Sequence, residues 1–425
     1  MERFTGLIGI IIILLISFLM SDNKKKISLK TVGVGLLLQF SLAIFVLKIP
    51  IGQLIFSKIG AFIEKLLYFA TEGADFVFGF LSSNPDKLNE VFGEGSSFIF
   101  AITLVPTIIL VMALVNILYH LGIMQKIVAF FAKIMYKLMN VSGAEALSNV
   151  ASAFVGQVEA QIMIKPYIKN MTMSELLASM SGSMACIAGS IMAVYISMGI
   201  PAKYLLAASV MAAPGALVIS KIVMPETQES ETKGEVKLEI QKTNVNLIDA
   251  IAQGASDGLR IGINIIAMII ALIALINLID WILGYIGQGF VAITHLSNFI
   301  GIDMLHLSLK EILGRIFSLF ALSMGVPLNE ISSVGGLMGE KLVFNEFIAY
   351  VDLVAIKDTL SEKSFIIASF ALCGFANFSS IAMQVGGIGN LAPNRRTDLA
   401  KLGIKALICG TLASYLSAAI AGMLL

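Results

Sequence analysis

Long apolar runs alternate with short polar segments along this chain of 425 residues. A helix needs about 20 apolar residues to cross the hydrocarbon core of a bilayer. The runs predict eight spans, at about 4–20, 31–47, 98–119, 176–199, 203–224, 261–284, 364–385 and 403–425. They do not alternate apolar and polar residues with a period of two, so they predict helices rather than a membrane β-barrel.

Two further apolar regions are too short or too interrupted to be ordinary spans. One covers about 147–168, and the other covers about 311–350, where Gly325-Val326-Pro327 and Gly335-Gly336 break the pattern. Such segments at membrane depth are tolerated where protein encloses them or where they line a cavity. We therefore expect two re-entrant helical hairpins.

The composition excludes a soluble globular protein. Only 13% of the residues are charged, against about 25% in soluble domains. The net charge of +1 offers no basis for binding nucleic acid. Cys186, Cys373 and Cys409 all lie within apolar segments, which predicts buried reduced thiols rather than a disulfide framework. The first run ends in Asp22 and a lysine cluster rather than at a small-residue cleavage site, which favours a retained span over a signal peptide.

Lysine and arginine set the orientation of the predicted spans. Basic clusters lie at about 24–30, at 126–137, at Lys221 with the following linker, and at 395–401. With eight spans and two hairpins all four clusters fall on one side, which the positive-inside rule assigns to the cytoplasm, leaving both termini outside. The polar segment 225–245 is predicted to be a cytoplasmic linker, and 120–140 an amphipathic helix lying along the membrane.

The two halves of the chain repeat one pattern. Each has an interrupted apolar region with one glutamate, Glu159 or Glu346, followed by a span rich in small and polar residues at 181–190 or 373–380. Paired defects of this kind indicate the binding site of a transporter. Close helix packing is an alternative explanation of the glycines, but it does not explain Asn377 or the two carboxylates.

The two glutamates carry the candidate chemistry. A charge at the centre of a membrane helix costs at least about 2.5 kcal/mol, so such a group is expected to pair, to bind or to take up a proton. For Glu159 the alternative is a loop that reaches water. Glu346 follows Asn345, a pair that suits two vicinal hydroxyls, whereas Asn329-Glu330 is predicted to cap a helix.

Other polar residues are given no direct role. His120, His295 and His306 lie at predicted span edges, and Asp280 beside Trp281 indicates a membrane interface. Because no strand precedes the glycines at 386–389, a nucleotide-cradling loop is not expected there.

Five motifs occur in one order along the chain. They are Gly156-Gln157-x-Glu159, the segment 207–215 followed by Met224-Pro225-Glu226, Gly325-Val326-Pro327-x-Asn329-Glu330, Asn345-Glu346-Phe347, and the segment 371–381. Together they resemble the concentrative nucleoside transporter family over nearly the whole chain. The resemblance implies a homotrimer whose protomers each have a scaffold and a transport domain that moves as an elevator.

The resemblance also implies a substrate site. The nucleobase would lie near Gln157, Val158 and Glu159, and the ribose near Glu346, Asn377 and Ser380. Ile191 and Phe375 would complete the substrate site. Residue chemistry agrees independently, because a neutral nucleoside suits amides, hydroxyls and unpaired carboxylates, whereas an anionic substrate would need arginine.

Some positions depart from the family pattern. Val158 stands where Thr or Ser is commonest, and Gln161 where Pro is commonest, which leaves the base preference open. Sodium-coupled members have Asn at the position of Ser152 and Ser at that of Cys186, and a thiol is a poor ligand for sodium. The carbonyls of Val155 and Ile187 remain. The coupling cation is therefore expected to be H+, with Na+ as the alternative.

A carboxyl group carries the proton under this hypothesis. Removal from water favours the neutral form of a carboxylate, which makes Glu159 or Glu346 a candidate carrier. A membrane enzyme is disfavoured because no nucleophile–base pair or metal-ligand spacing occurs. A transporter of another neutral solute, such as a nucleobase, stays open.

The predicted fold class is all-α integral membrane, with about eight spans, two re-entrant hairpins and an inverted repeat. The expected divisions are 1–119 (mainly scaffold), 120–140 (interfacial helix), 141–224 (first part of the transport domain), 225–245 (linker), 246–300 (scaffold) and 301–425 (second part of the transport domain). The expected location is the bacterial cytoplasmic membrane. The expected partners are a nucleoside, the bilayer and two further copies, with neither cofactor nor nucleic acid.

Overall fold

A computed structural model describes residues 2–83, 90–91, 99–233, 244–299 and 302–425. These residues are almost entirely helical. The α-helices are α1 Glu2–Leu19, α2 Leu29–Leu47, α3 Pro50–Phe78, α4 Phe80–Ser83, α5 Phe100–His120, α6 Ile123–Met139, α7 Gly143–Ser152, α8 Glu159–Ile162, α9 Lys165–Ile168, α10 Met173–Ala185, α11 Gly189–Ser197, α12 Ala202–Val223, α13 Leu247–Thr294, α14 Leu309–Ser323, α15 Ile331–Val343, α16 Glu346–Ala355, α17 Glu362–Leu372, α18 Phe378–Leu391 and α19 Arg396–Leu424.

Short elements complete the description. Single 3₁₀ turns occur at Lys24–Lys26, Lys357–Thr359 and Pro393–Arg395. Two antiparallel two-residue strands, β1 Asn298–Phe299 and β2 Ile302–Asp303, follow α13. The all-α prediction is confirmed, since these strands contribute only a brief turn.

Six helical segments of the described ranges are long and apolar enough to cross a membrane. They are Leu29–Leu47, Ala101–His120, Met173–Ser197, Ala202–Val223, Leu247–Thr294 and Pro393–Leu424. The predicted span at 4–20 corresponds to the shorter apolar helix α1, and the one at 364–385 divides into α17 and α18. The count of eight spans and the re-entrant character of the hairpins therefore stay predictions.

The sequence pattern missed α3. Lysine and acidic residues within Pro50–Phe78 interrupt its apolar run, so no span was predicted there. Pro50 nevertheless suits the first helical turn, and Gly79 ends the helix with a φ of 59° and a ψ of −136°, a combination that glycine adopts most readily. Gly60 packs on Ala202 of α12, which holds α3 against the helical core.

The 48-residue helix α13 extends beyond the predicted span 261–284 at both ends. At 1.5 Å per residue it is about 70 Å long, roughly twice the hydrocarbon thickness of a bilayer. It lies along α5 through Gly254, Gly258 and Gly262. A Cβ on Gly254 would lie 2.6 Å from the Met112 carbonyl oxygen of α5, so these glycines permit the close approach of the two helices.

Burial separates inner helices from outer ones. Helices α10, α12 and α19 are largely buried in the protein, whereas α13 presents most of its apolar surface outward. The helix α6 confirms the amphipathic helix predicted at 120–140: its buried face includes Val128 and Met135, and its lysines lie outside. The inner helices form the framework around the two predicted hairpin regions.

Two regions share one order of helices. In the first, which we call the first half (143–223), the helix pair α7 and α8 is followed by the broken helix α10–α11 and by α12. In the second half (331–424), the pair α15 and α16 is followed by the broken helix α17–α18 and by α19. Both breaks fall inside spans predicted as continuous, at 176–199 and 364–385. The predicted hairpin at 311–350 also includes α14, which packs on α15.

Lys221, which the predicted orientation groups with the linker lysines, lies inside the protein. Its ammonium is buried and pairs with the Glu145 carboxylate at 2.7 Å, while also donating to the Ser174 hydroxyl. A buried, paired charge contributes little to an orienting surface field. Of the predicted linker 225–245, residues 234–243 lie outside the described part of the chain.

Candidate functional site

The two broken helices cross at their breaks. The Phe375 backbone N–H donates to the Cys186 carbonyl oxygen at 3.2 Å. Gly374 adopts a φ of 136°, and a Cβ there would lie 2.5 Å from the Ala185 carbonyl oxygen. Only glycine satisfies both requirements, so Gly374 allows the two backbones to meet. The unwound segments of both halves therefore reach one place in the protein interior.

Glu346 is held at this crossing by two donors. The Tyr195 hydroxyl donates to Oε1 and the Asn377 amide to Oε2, each at 3.1 Å. The Asn377 side chain is oriented by its other end, because Oδ1 accepts the Ser380 backbone N–H at 2.9 Å as the N-cap of α18. Capping thus turns the amide donor toward the carboxylate.

Helix ends favour negative charge at the same point. Glu346 is the first residue of α16, whose N-cap is Asn345, and α18 begins just beyond Asn377. Helix N-termini carry partial positive charge, which stabilises a nearby carboxylate. The Asn345 oxygen caps α16 and its amide nitrogen contacts the Met268 sulfur, so Asn345 does not share the predicted polyol contact with Glu346 directly.

Gln157 joins the first hairpin to α18. Its Nε2 donates to the Ser380 hydroxyl at 3.4 Å, and its Oε1 accepts from Gln384 at the same distance. Ser380 is fully buried and lies behind this amide, whereas its neighbour Ser379 faces the cavity. The predicted base-contacting and ribose-contacting segments are therefore linked directly.

A cavity of about 1100 Å³ opens beside these groups. This volume slightly exceeds the 300–1,000 Å³ common for small-molecule sites. Seven of the eight residues predicted to bind substrate line it: Gln157, Val158, Glu159, Ile191, Glu346, Phe375 and Asn377. Asn116 of α5 and Asn264 of α13 form part of the opposite wall. The structure thus brings the predicted substrate residues to a single cavity.

Glu159 differs from Glu346 in its surroundings. It is exposed toward the cavity, and among the described residues no side chain donates a hydrogen bond to its carboxylate. The carboxylate folds over Gly156, where any Cβ would overlap it. Val158 lines the cavity and also packs its methyl groups on Gly387 of α18, which explains how an apolar residue is accommodated there.

The segments predicted to hold the coupling ion lie close together, but the Ser152 and Cys186 side chains have other partners. The Ser152 hydroxyl donates to the Ser148 carbonyl oxygen at 2.8 Å and lies 2.9 Å from the Ser183 hydroxyl. The Cys186 thiol turns toward the Ser209 carbonyl oxygen of α12, at 3.9 Å. Val155 and Ile187 are buried nearby, on the tip of the first hairpin and in the break of α10–α11.

The Gln161 side chain fills the space beside Ser152. Its amide donates to the hydroxyls of Ser148 and Ser183 at 2.8 and 2.7 Å, and its oxygen accepts from Ser179 at 2.6 Å. All of these side chains are buried. We call this set, with Ser152, the serine–glutamine network. It consists of neutral groups that satisfy one another.

Three other residues singled out in the sequence, Glu330, His306 and His295, lie away from the cavity. Glu330 lies at the N-cap of α15, the helix start predicted for it, but makes no side-chain capping bond there; its carboxylate accepts from Ser361, the N-cap residue of α17. His306 pairs with Asp303 at 2.8 Å on the exposed surface, and His295 ends α13. None of these residues lines the cavity.

Sequence reasoning missed Tyr195, Gln384 and Lys341. Each is a polar or amphipathic side chain within an apolar helix. Such side chains indicate a functional site in the same way as the two glutamates do, so the sequence offered a signal for them. Gln384 also lies four residues after Ser380, on the same face of α18. Lys341 lies five residues before Glu346 and is fully buried.

Three family profiles match successive parts of the chain. "Na+ dependent nucleoside transporter N-terminus" matches residues 8–81, "Nucleoside recognition" matches 101–202, and "Na+ dependent nucleoside transporter C-terminus" matches 204–422. The chain belongs to the concentrative nucleoside transporter family. This family couples nucleoside transport to a cation, so the chain is a multi-pass membrane transporter and not an enzyme.

Relatives of this family member match over nearly its whole length. An uncharacterized transporter of Bacillus subtilis is 42% identical over 100% of both chains. The nucleoside permease NupC of Helicobacter pylori is 36% identical over 98% of this chain and 97% of its own. Rat sodium/nucleoside cotransporter 1 is 35% identical over 100% of this chain and 64% of its own.

The fold matches solved structures of the family. The inward-facing, substrate-bound structure of CNTnw superimposes with a TM-score of 0.92 at 40% identity, covering 100% of this chain and 98% of that one. The resemblance inferred from the five motifs is thereby confirmed for the family and for the fold.

Proposed function

We propose that this transporter imports nucleosides together with protons. The observation that carries the substrate assignment is the Glu346 carboxylate, held by Tyr195 and Asn377 at the wall of the cavity. An ionised carboxylate accepts hydrogen bonds only, and two vicinal ribose hydroxyls are matching donors. Gln157 offers an amide to the edge of a base. The substrate class thus follows from the match between these acceptors and donors and the hydroxyls and base of a nucleoside.

The serine–glutamine network supports proton rather than sodium coupling. Sodium prefers several hard oxygen ligands, but Ser152 and Ser183 already bond to each other and to Gln161. The Cys186 sulfur is a soft atom that faces away, toward Ser209. A sodium ion would have to displace the Gln161 amide and break several buried hydrogen bonds, which makes this half a poor sodium site.

Glu159 is the proposed proton carrier. It faces the cavity without a bonded donor, so protonation breaks no existing contact, whereas protonating Glu346 would weaken its bonds with Tyr195 and Asn377. We propose that the helices of 141–224 and 301–425 move together as an elevator against a scaffold that includes α5 and α13. The crossing of the two broken helices supports a single moving body, because it joins both halves.

Uptake of labelled uridine into proteoliposomes tests the coupling ion. An inward proton gradient without sodium should drive accumulation, and a protonophore should abolish it. Uptake that persists under a sodium gradient with no pH gradient, and stops when choline replaces sodium, would contradict proton coupling. Glu159→Gln should retain uridine binding but lose acceleration by the pH gradient. If that variant still accumulates uridine against its gradient, Glu159 is not the carrier.

A nucleobase transporter is the second candidate, since Gln157 and the aromatic Phe375 would also suit a free base. Competition discriminates between the two. Unlabelled uridine should inhibit uptake of labelled uridine far more strongly than uracil does. Equal inhibition by uracil would remove the ribose contacts from the proposal.

A further inference from the structure

Lys341 is a buried cation with an unusual partner. It lies in the last turn of α15, is 1% exposed, and donates to the Ala371 carbonyl oxygen at 2.8 Å. No carboxylate forms an ion pair with it among the described residues, and the adjacent Glu340 pairs with Lys310 instead. Burying an ammonium group on a neutral acceptor is costly, so such a residue is expected to have a function.

The position of the ammonium follows from the break in α17–α18. Ala371 is the second-last residue of α17, and the last carbonyls of a helix lack backbone N–H partners. They also carry the negative end of the helix dipole, which attracts a cation. The Tyr415 ring lies 6.0 Å from the ammonium and adds a favourable π-face. The lysine therefore donates a hydrogen bond to a helix-end carbonyl that has no backbone partner because of the break.

The same cation lies on the hairpin that carries the substrate-site carboxylate. Glu346 lies five residues after Lys341, across the short break between α15 and α16, and both side chains are buried, with Glu346 only 5% exposed. Lys341 does not touch the cavity, so it acts on the substrate through Glu346 and through the end of α17.

The first half has no such charge at the matching place. There the end of α7 meets the end of α10 through the hydroxyls of Ser152 and Ser183, and the Gln161 amide completes the contact. In the second half the end of α15 meets the end of α17 through the Lys341 ammonium. The two junctions are equivalent in element order, but the first is neutral and the second carries a cation.

We propose that Lys341 is a tethered cation that locks the second hairpin to the end of α17 and thereby holds Glu346, on the same hairpin, in its substrate-accepting position. It is a positioning residue, and the proposal rests on the nucleoside site at Glu346. Its amino group belongs to the chain itself, so the second half needs no mobile ion to hold its break together.

Charge and packing are separated by two variants. Lys341→Met keeps most of the apolar stem and removes the charge. Lys341→Ala leaves a space that propylammonium can fill with charge and 1-propanol can fill without it. Lys405→Met is the control, since Lys405 is a lysine of α19 that pairs with Asp22 at the surface. Uridine uptake kinetics, binding affinity and thermal unfolding are measured for each in detergent or in proteoliposomes.

We expect Lys341→Met to raise the KM for uridine at least tenfold with a maximal rate within about threefold of the wild type, while Lys405→Met changes neither. Propylammonium should restore at least half of the lost affinity of Lys341→Ala, and 1-propanol should not. An unchanged KM in Lys341→Met, or equal rescue by propanol, overturns the tethered cation.

Two further results keep the tests separate. If Lys341→Met does not fold, the midpoint of thermal unfolding of Lys341→Ala, purified with propylammonium, is the deciding measurement. Stabilisation by propylammonium alone supports the proposal. Equal stabilisation by 1-propanol overturns it. A wild-type protein that binds no uridine contradicts the proposed substrate, while amine-specific stabilisation of Lys341→Ala would still support the tethered cation.

Discussion

The two halves of this transporter use the same order of helices and opposite chemistry. In the second half the substrate-facing carboxylate of Glu346 is buried, held by two donors and accompanied by the Lys341 ammonium. In the first half Glu159 is exposed to the cavity, and the junction behind it consists of neutral amides and hydroxyls. One glutamate is therefore fixed in place by bonded donors, and the other has no side-chain donor among the described residues.

This difference supports the different roles proposed for the two glutamates, one in substrate binding and the other in proton transfer. A carboxylate that keeps its donors offers the same acceptor geometry in every cycle, which suits binding of sugar hydroxyls. A carboxylate without bonded donors can gain or lose a proton at smaller structural cost. Repetition of a motif therefore does not imply repetition of a role, because the surrounding donors and charges set the chemistry of each glutamate.

The largest effect is expected from Glu346→Gln. The amide cannot accept two hydroxyls as an anion does, and hydrogen bonds to a charged group contribute about 1.5–3 kcal/mol each. We expect uridine affinity to fall about 100-fold, measured by titration calorimetry. Glu330→Gln is the control, since Glu330 bonds Ser361 away from the cavity. Unchanged affinity in Glu346→Gln would remove this residue from the substrate site.

A smaller loss is expected from Asn377→Ser. Serine still caps α18, but the amide that donates to Glu346 is gone. We expect affinity to fall about tenfold, consistent with one charge-assisted hydrogen bond of about 1.5 kcal/mol. Asn345→Ser is the matched variant, because Asn345 caps α16 in the same way without bonding Glu346. Equal losses in both variants would show that capping alone is responsible.

Gln161→Ala probes the neutral junction of the first half. It removes three buried hydrogen bonds, each worth about 1 kcal/mol, so the midpoint of thermal unfolding should fall by a few degrees. Uridine affinity should change by less than about threefold, since Gln161 does not line the cavity. Gln253→Ala removes an exposed amide of α13 and should leave the midpoint unchanged. Equal midpoints in the two variants would contradict a stabilising network.

The smallest effect is expected from Val158→Thr. Threonine has nearly the shape of valine and should keep the contact with Gly387 while adding a hydroxyl to the cavity wall. We expect total affinity to change by less than about threefold, with a shift in the ratio of uridine to adenosine affinity. Competition of labelled uridine uptake by both nucleosides measures that ratio. An unchanged ratio would place the base away from Val158.

Several features were readable in the residues alone. Runs of about 20 apolar residues indicated membrane helices, since the bilayer sets their length. The polar groups Glu159, Glu346 and Asn377 within apolar segments indicated the site, because such groups are costly in an apolar setting. The amphipathic lysine pattern at 120–140 likewise predicted α6. The helix α3 was missed because charged residues, most of them exposed, interrupt its apolar run.

The sequence by itself determined that this protein is an all-helical membrane transporter with a polar site built from both halves, because apolar length and isolated polar groups are local properties. Tertiary structure alone decided that Tyr195 and Asn377 donate to Glu346, that Gln161 closes the junction beside Ser152, and that Lys341 meets Ala371. These contacts join residues from different helices, and only the crossing of the two broken helices brings them together.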